Sequence, residues 1–323
     1  MNHAWFSVRT RRGSPSAIGV LTLGASTEEA LIRACNASRL AVPPVGSVSL
    51  IDLLGIDRGL AIRWAQTSLD ITPHGSPAVV DGIRRGLIAH GFEDLGSGLD
   101  PMLAFSEASG PLEASWLEAL TRVRGEWGTR LLLAQRHAWD CWPSFPDTAS
   151  DAWKRTRQRL FDPPTVAVVG PANVGKSTLV NALAGRVVSV TSDEAGTTRD
   201  AVGAVANVDG IEVRLLDVAG LRDEMEPSER AALALANKAV ARADLVLRCG
   251  DGTLPPPMID DSLCSIAVGL RRDLGPPRGV CDLELSLVGQ ERGPSIRRIG
   301  QAIRRALVPD GALDTSVRWV FWD

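Results

Sequence analysis

Residues 165–184 read TVAVVGPANVGKSTLVNALA. The first five are a continuous apolar run, the pattern of a strand buried on both faces of a parallel sheet. Gly170 then opens Gly-Pro-Ala-Asn-Val-Gly-Lys-Ser, ending at Ser177, which satisfies G-x-x-x-x-G-K-[ST]. Residues 177–184 read as a helix. The order strand, glycine loop, helix is what a phosphate cradle requires. Gly170 and Gly175 let the loop turn its N–H groups inward, and the helix N-terminus favours an anion. Lys176 places a cation at the outer phosphates, and the Ser177 hydroxyl is a Mg²⁺ ligand.

The rhythm continues downstream. Residues 202–208 and 211–216 read as paired strands and 228–242 as a helix. Strands follow at 244–248, 264–269 and 283–287, and a basic amphipathic helix at 294–307. Strands alternating with helices give an α/β fold with a doubly wound, mostly parallel sheet. Asp217-Val-Ala-Gly220 ends the strand IEVRLL, at the carboxyl end of a strand, where such folds bind ligands. Its aspartate suits the water shell of Mg²⁺, and the Gly220 N–H suits a γ-phosphate. Ala195-Gly-Thr-Thr-Arg-Asp200 lies between, with a threonine able to give Mg²⁺ a second hydroxyl.

The preceding part differs. Residues 17–24 read as a strand and 26–38 as a helix capped by Ser26 with Glu29 three residues on. Short strands and turns fill 45–71, and 76–91 is a helix with Ser76 as cap, Pro77 at its first position and Gly91 after its end. Leu117, Leu120, Val123, Trp127 and Leu131 fall at helical spacing, and a further helix spans 150–160 before Pro163 and Pro164. The expected organisation is a small α+β unit over 1–100, a helical segment and linker over 101–161, the nucleotide domain over 162–308 and a tail over 309–323. Trp139 and Trp142 read as packing residues, and Trp319, Phe321 and Trp322 as docking on the domain surface or a neighbouring subunit.

Lys plus Arg is 35 and Asp plus Glu 38, so the formal net charge of −3 excludes the bulk cationic character of a nucleic-acid coat protein. No apolar run approaches the ~18 residues of a membrane span, and no apolar stretch follows Arg9, Arg11 and Arg12 as a secretory signal would. The 5 cysteines are widely spaced without C-x-x-C, which fits reduced thiols in a cytoplasm. The expectation is a cytoplasmic protein without membrane contact. The helix 294–307 sets Arg297, Arg298, Arg304 and Arg305 opposite Ile296, Ile299, Ile303 and Leu307, read as a solvated basic face with the apolar stripe on the sheet.

GPANVGKSTLVNALAG, SVTSDEAGTTRDAV and LLDVAGLRDEMEPSER closely resemble the G domain of the TrmE-type (MnmE) tRNA-modification GTPases. AIGVLTLGA and LDITPHGSPAVVDGI are similar to that family's folate-binding domain. The resemblance is strong over 165–253 and weaker before it. It implies a Mg²⁺-dependent GTPase, stimulated by K⁺, whose G domains form a homodimer. GTP would lie on Gly170, Asn173, Val174, Gly175, Lys176, Ser177, Thr178, Thr197, Asp217 and Gly220, with Ser177 and Thr198 on Mg²⁺. Asn173 matches the asparagine that helps hold K⁺, and Ser192 to Thr198, including Glu194 and Thr197, matches the loop completing that cage. Lys176, Thr198 and Glu229 are the implied catalytic residues. Leu221 follows Gly220, so the apolar position cannot orient water, and Glu229 matches the family's water-positioning glutamate.

Three departures stand out. Leu270-Arg-Arg-Asp273 occupies the place of N-K-x-D, keeping Asp273 for the guanine edge and Arg271 to stack on the base, while Ser286 matches the last guanine-side motif. In the folate-like part Thr22 stands for an arginine, Asp70 for a glutamate, and His74 keeps the family's His-Gly, but 1–153 holds no lysine. The chain ends RWVFWD, so the reading expects no second helical half and no cysteine tail, and tRNA modification would need a partner. The alternative is a degenerate, non-catalytic nucleotide-binding scaffold.

Overall fold

The computed structural model describes residues 4–10, 16–96, 99–105, 108–140, 151–185, 204–217, 238–316 and Trp319. The chain forms two compact units, Met1–Thr121 and Arg122–Phe321. The division falls inside the stretch read from sequence as one helical segment.

The first unit is a sheet of β1 (Ala4–Val8), β2 (Leu21–Ala25), β3 (Val48–Leu53), β4 (Asp57–Ala65), β5 (Ser68–Thr72) and β6 (Glu93–Asp94), with α1 (Glu28–Ala37) and α2 (Pro77–Ala89). Its order is β3-β4-β5-β2-β1-β6. The pairs are antiparallel except β1 with β6. The strand β1 is absent from the sequence reading, yet it is an inner strand paired to β2 and β6. Phe6, Leu21, Leu23, Leu69 and Ile71 are all fully buried. Each contributes roughly 1.5–3 kcal/mol. The N-cap of α1 is Thr27, not Ser26: its side chain accepts from the Ala30 N–H at 3.2 Å. The short helices α3 (Pro101–Ala104) and α4 (Pro111–Arg122) complete the unit.

In the second unit α5 (Gly125–Asp140) and α6 (Asp151–Gln158) precede the sheet. The apolar periodicity runs through 117–131 without a break in sequence, but the helix stops at Arg122 and restarts at Gly125, whose φ is +72°. The sheet holds β7 (Thr165–Val169), β8 (Ala204–Val208), β9 (Ile211–Asp217), β10 (Leu245–Gly250), β11 (Ser265–Gly269) and β12 (Leu283–Glu284). Its order is β12-β11-β10-β7-β9-β8, parallel except for the edge pair β8–β9. The strand expected over 283–287 is only two residues long in the ladder, although the Leu285 N–H still donates to the Gly269 carbonyl at 2.8 Å. The helix α7 (Lys176–Ala184) follows β7, and α8 (Arg292–Leu307) closes the unit.

The helix α8 starts two residues before the expected position, because Pro294 lies within its first turn, where a missing N–H leaves no helical bond unmade. Its basic face is not wholly solvated. Arg304 is buried and pairs with Asp209 at 3.0 Å and with Asp310, while Ile299, Ile303 and Leu307 are buried as expected. Trp319 is also buried. Its backbone N–H donates to the Gln135 side-chain Oε1 at 2.6 Å, and its ring centroid lies 5.3 Å from that of Phe161. Trp142, Phe321 and Trp322 lie outside the described residues.

Candidate phosphate-binding site

The chain order places the loop 170–175 at a topological switch. From β7 it leads to β8 and β9 on one side, then crosses to β10 on the other. Ligands of open α/β sheets sit at the carboxyl ends of strands at such a point.

Gly170 lies so close to β10 that an added Cβ would stand 2.3 Å from the Cys249 carbonyl oxygen. Gly175 has φ +106° and Asn173 φ +64°, a left-handed conformation that glycine and asparagine tolerate best. Val174, 1% exposed, anchors the loop tip inward. Lys176 begins α7, is only 7% exposed, and curls back so that Nζ donates to the carbonyls of Gly170 at 3.0 Å and Pro171 at 2.8 Å. A buried ammonium group is thus held over the loop beside the orphan N–H groups of the helix start.

Asp217 ends β9 in register with Val168, and Ser177 Oγ donates to its carboxylate at 2.6 Å. One hydroxyl and one carboxylate at a phosphate loop fit Mg²⁺, which keeps several waters and takes few protein ligands. Among the described residues no cluster of three or more His, Cys, Asp or Glu forms a metal cage of its own. Beneath the loop, burial pushes the Cys249 thiol up to about 12, against the lowering influence of Lys176, so this cysteine is an inert packing group.

Beyond the loop, Asp273 and Ser286 come together: Ser286 Oγ donates to the Asp273 carboxylate at 2.9 Å. They line a cavity of about 490 Å³ with Arg272, Glu284 and Arg298. Leu270 is 1% exposed and reaches to 3.5 Å of where a Gly175 Cβ would stand, an apolar brace against the phosphate loop. The Arg271 guanidinium pairs at its edge with Asp251 at 3.4 Å and stays 46% exposed, so its face remains open for stacking.

Asp251 escaped the sequence reading. It follows β10 and is buried. Burial opposes its charged form, but hydrogen bonds from Thr253 and Leu254 and the charge of Arg271 hold its carboxyl below the usual range. Its place just past a strand's carboxyl end was the available signal. Ser192, Glu194, Thr197, Thr198, Gly220 and Glu229 lie outside the described residues.

The residues of the first unit do not fit a folate. Thr22 cannot supply an arginine's charge, and the Asp70 carboxylate is engaged by the chain itself. Thr22 Oγ1 donates to one oxygen at 2.6 Å and Trp64 Nε1 to the other at 2.8 Å. His74 is tied to Asp57, whose carboxyl accepts from the His74 backbone N–H at 2.8 Å and lies 2.9 Å from its ring.

Residues 165–269 match the model of the family described as 50S ribosome-binding GTPase. Together with the loop and the sheet order, this makes the second unit a P-loop GTPase domain. Curated relatives are tRNA modification GTPases MnmE. The protein of Acidiphilium cryptum is 37% identical over 161 residues, 48% of this chain and 36% of that protein. That of Rhodopseudomonas palustris is 48% identical over 90 residues, 28% and 20% of the two chains. That of Rhizobium johnstonii is 33% identical over 221 residues, 63% and 50% of the two chains. The chain is similar to the MnmE tRNA modification GTPases over these stretches, and it spans half or less of the length of these three.

Proposed function

We propose that the chain binds GTP at the 170–178 loop and hydrolyses it to GDP and phosphate, with Mg²⁺ required and K⁺ stimulating. The observation that carries this reading is the Lys176 ammonium group, folded over the loop carbonyls, beside the Ser177–Asp217 pair at the carboxyl end of β7. The loop amides from Asn173 to Thr178 hold the phosphates, and Lys176 offsets the charge that grows on them during in-line attack. Ser177 and Thr198 would hold Mg²⁺, with Asp217 on its water shell. When bound, that ion neutralises charge on the phosphate oxygens. Asn173, Ser192, Glu194 and Thr197 would hold K⁺, and Glu229 would orient the attacking water. Asp273 and Ser286 would read the guanine edge. These roles follow the match of motifs. By the same resemblance the G domains pair into a homodimer, and tRNA modification takes place with a partner in the cytoplasm.

Leu270 favours a second reading. A buried leucine where an amide would support the base weakens discrimination. A scaffold that binds nucleotide without turnover follows if the base-side loss has spread to the chemistry. Phosphate release from GTP, with KCl against NaCl at equal ionic strength, separates the two. Release that rises in KCl supports the GTPase. Binding with no release above buffer in either salt supports the scaffold.

A further inference from the structure

Arg271 stands in a conformation that its residue type disfavours. Its φ is +56° and its ψ +38°, the left-handed region, although it carries a Cβ and a long side chain. Such a backbone persists only where its surroundings fix it, and such positions cluster at ligand sites. Both neighbours of Arg271 are pinned. The Leu270 N–H donates to the Gly250 carbonyl at 2.8 Å, and the Arg272 N–H donates to the Leu285 carbonyl at 3.0 Å. The loop after β11 is thus stitched to the end of β10 on one side and to the residue after β12 on the other.

The position of Arg271 in the site is set by what flanks it. One residue before it, Leu270 braces the phosphate loop at Gly175, and two residues after it, Asp273 meets Ser286. On the GTP reading, Arg271 therefore lies between the phosphate side and the base-edge side, where the flat face of the purine would rest. A guanidinium group is planar. It can stack on a base while its edge is hydrogen-bonded elsewhere.

Asp251 supplies that edge contact, and its two carboxylate oxygens do different things. Oδ1 accepts from the Thr253 N–H at 2.8 Å, the Thr253 hydroxyl at 2.6 Å and the Leu254 N–H at 3.2 Å, which folds the turn after β10. Oδ2 faces Arg271 Nη1 at 3.4 Å. The side chain of Asp251 is 5% exposed against 46% for Arg271, so a buried and fixed anion tethers a half-exposed cation. An untethered arginine would have to be ordered when the base arrives, and that ordering costs affinity.

We propose that Asp251 is a positioning residue of the nucleotide site, holding the Arg271 guanidinium by its edge so that the face of that group is a platform for a purine base. The inference rests on the GTP reading of the site. Asp251 acts through Arg271 and touches no nucleotide. The arrangement gives base affinity a source other than position 270, where leucine offers no polar group.

The test is a double-mutant cycle on the full chain, with GDP and Mg²⁺ titrated calorimetrically into the wild type, Asp251→Asn, Arg271→Ala and the double variant. Asp251→Asn keeps an oxygen for the Thr253 and Leu254 donors and removes the charge that holds Arg271. Arg271→Ala is expected to weaken GDP binding by at least about fivefold, the lower end of what a stacked base is worth. Asp251→Asn alone is expected to weaken it by at least about threefold, the cost of ordering one long side chain. The double variant is expected to lie within about twofold of Arg271→Ala, because Asp251 then has nothing to hold. A merely structural Asp251 would cost the Arg271→Ala chain as much as the wild type. Losses that multiply therefore overturn the inference, as does unchanged affinity in a folded Asp251→Asn, and both leave the GTP reading standing. If GDP does not bind the wild type, the GTP reading has failed and the inference falls with it. Should Asp251→Asn not fold, the wild type decides. Its Arg271 Nε–H resonance, assigned by its loss in Arg271→Lys, is expected to move upfield under the ring current of the base as GDP is added. A resonance that stays fixed while GDP binds overturns the inference.

Discussion

Replacing Gly170 by alanine tests the packing of the phosphate loop. The added Cβ would lie 2.3 Å from the Cys249 carbonyl oxygen, 3.1 Å from its carbon and 3.2 Å from its Cβ. The first distance is about 1 Å inside ordinary carbon–oxygen contact, so loop or strand must give way. Cys249 belongs to β10, flanked by β7 and β11 and fully buried, so the loop is the part that lifts. Overpacking costs about 1–3 kcal/mol, and the strained backbone adds to it, giving about 2–4 kcal/mol in all. Urea unfolding of the variant is expected to show that loss, and thermal unfolding a drop of roughly 2–4 °C for each kcal/mol. Lifting the loop also spoils the amide cradle. Affinity for a fluorescent GDP analogue should fall by at least about tenfold, or ~1.4 kcal/mol. An alanine variant with wild-type stability within about 0.5 kcal/mol and unchanged affinity would refute the claim that close approach to β10 shapes the loop.

Ser177→Ala should leave Mg²⁺-free nucleotide binding intact but remove most of the affinity that Mg²⁺ adds, read by titration with and without chelator. Preference for GTP over ATP should fall well short of the ~10⁴-fold of a fully hydrogen-bonded site, since Leu270 supplies no polar group, and competition binding measures it. In the first unit, Arg63 is buried with hydrogen bonds to Pro43, Ala65 and Gln66 carbonyls and a 2.7 Å pair to Glu28. Arg63→Ala should therefore cost about 2–4 kcal/mol in urea unfolding. Asp251 has a folded-state pKa below its ordinary 3.8, so its contribution is fully present above that value and is lost as pH falls through the folded pKa. Urea midpoints should fall below about pH 4, and Asp251→Asn should flatten that decline.

The phosphate loop was legible because its chemistry is local. Strand, glycines, lysine and serine are consecutive, so spacing alone located Gly170, Lys176 and Ser177, and the strand before Asp217 located its carboxylate. The parallel sheet was legible in its continuous apolar runs. The strand Ala4–Val8 was not: Trp5, Phe6 and Val8 suit a strand, but five residues are too few to show a period, and the pairing with β2 and β6 comes only from the fold. The break before Gly125 was hidden for a related reason. The apolar period continues across it, and only the fit of Gly125 against Gly210 requires the left-handed turn. Arg304 read as solvated because Asp209 and Asp310 are partners that only the fold delivers. The Asp70 carboxylate looked available for a ligand in sequence, and two donors, Thr22 and Trp64, close over it in the structure.

The central claim is that Lys176 and the loop around it hold the phosphates of a guanine nucleotide. Calorimetric titration of GTP and GDP into the wild-type chain and into Lys176→Ala, both in Mg²⁺ and KCl, addresses it directly. The account predicts saturable binding to the wild type and a loss of at least about a hundredfold, ~2.7 kcal/mol, in the variant. Equal affinity in the two proteins would contradict it.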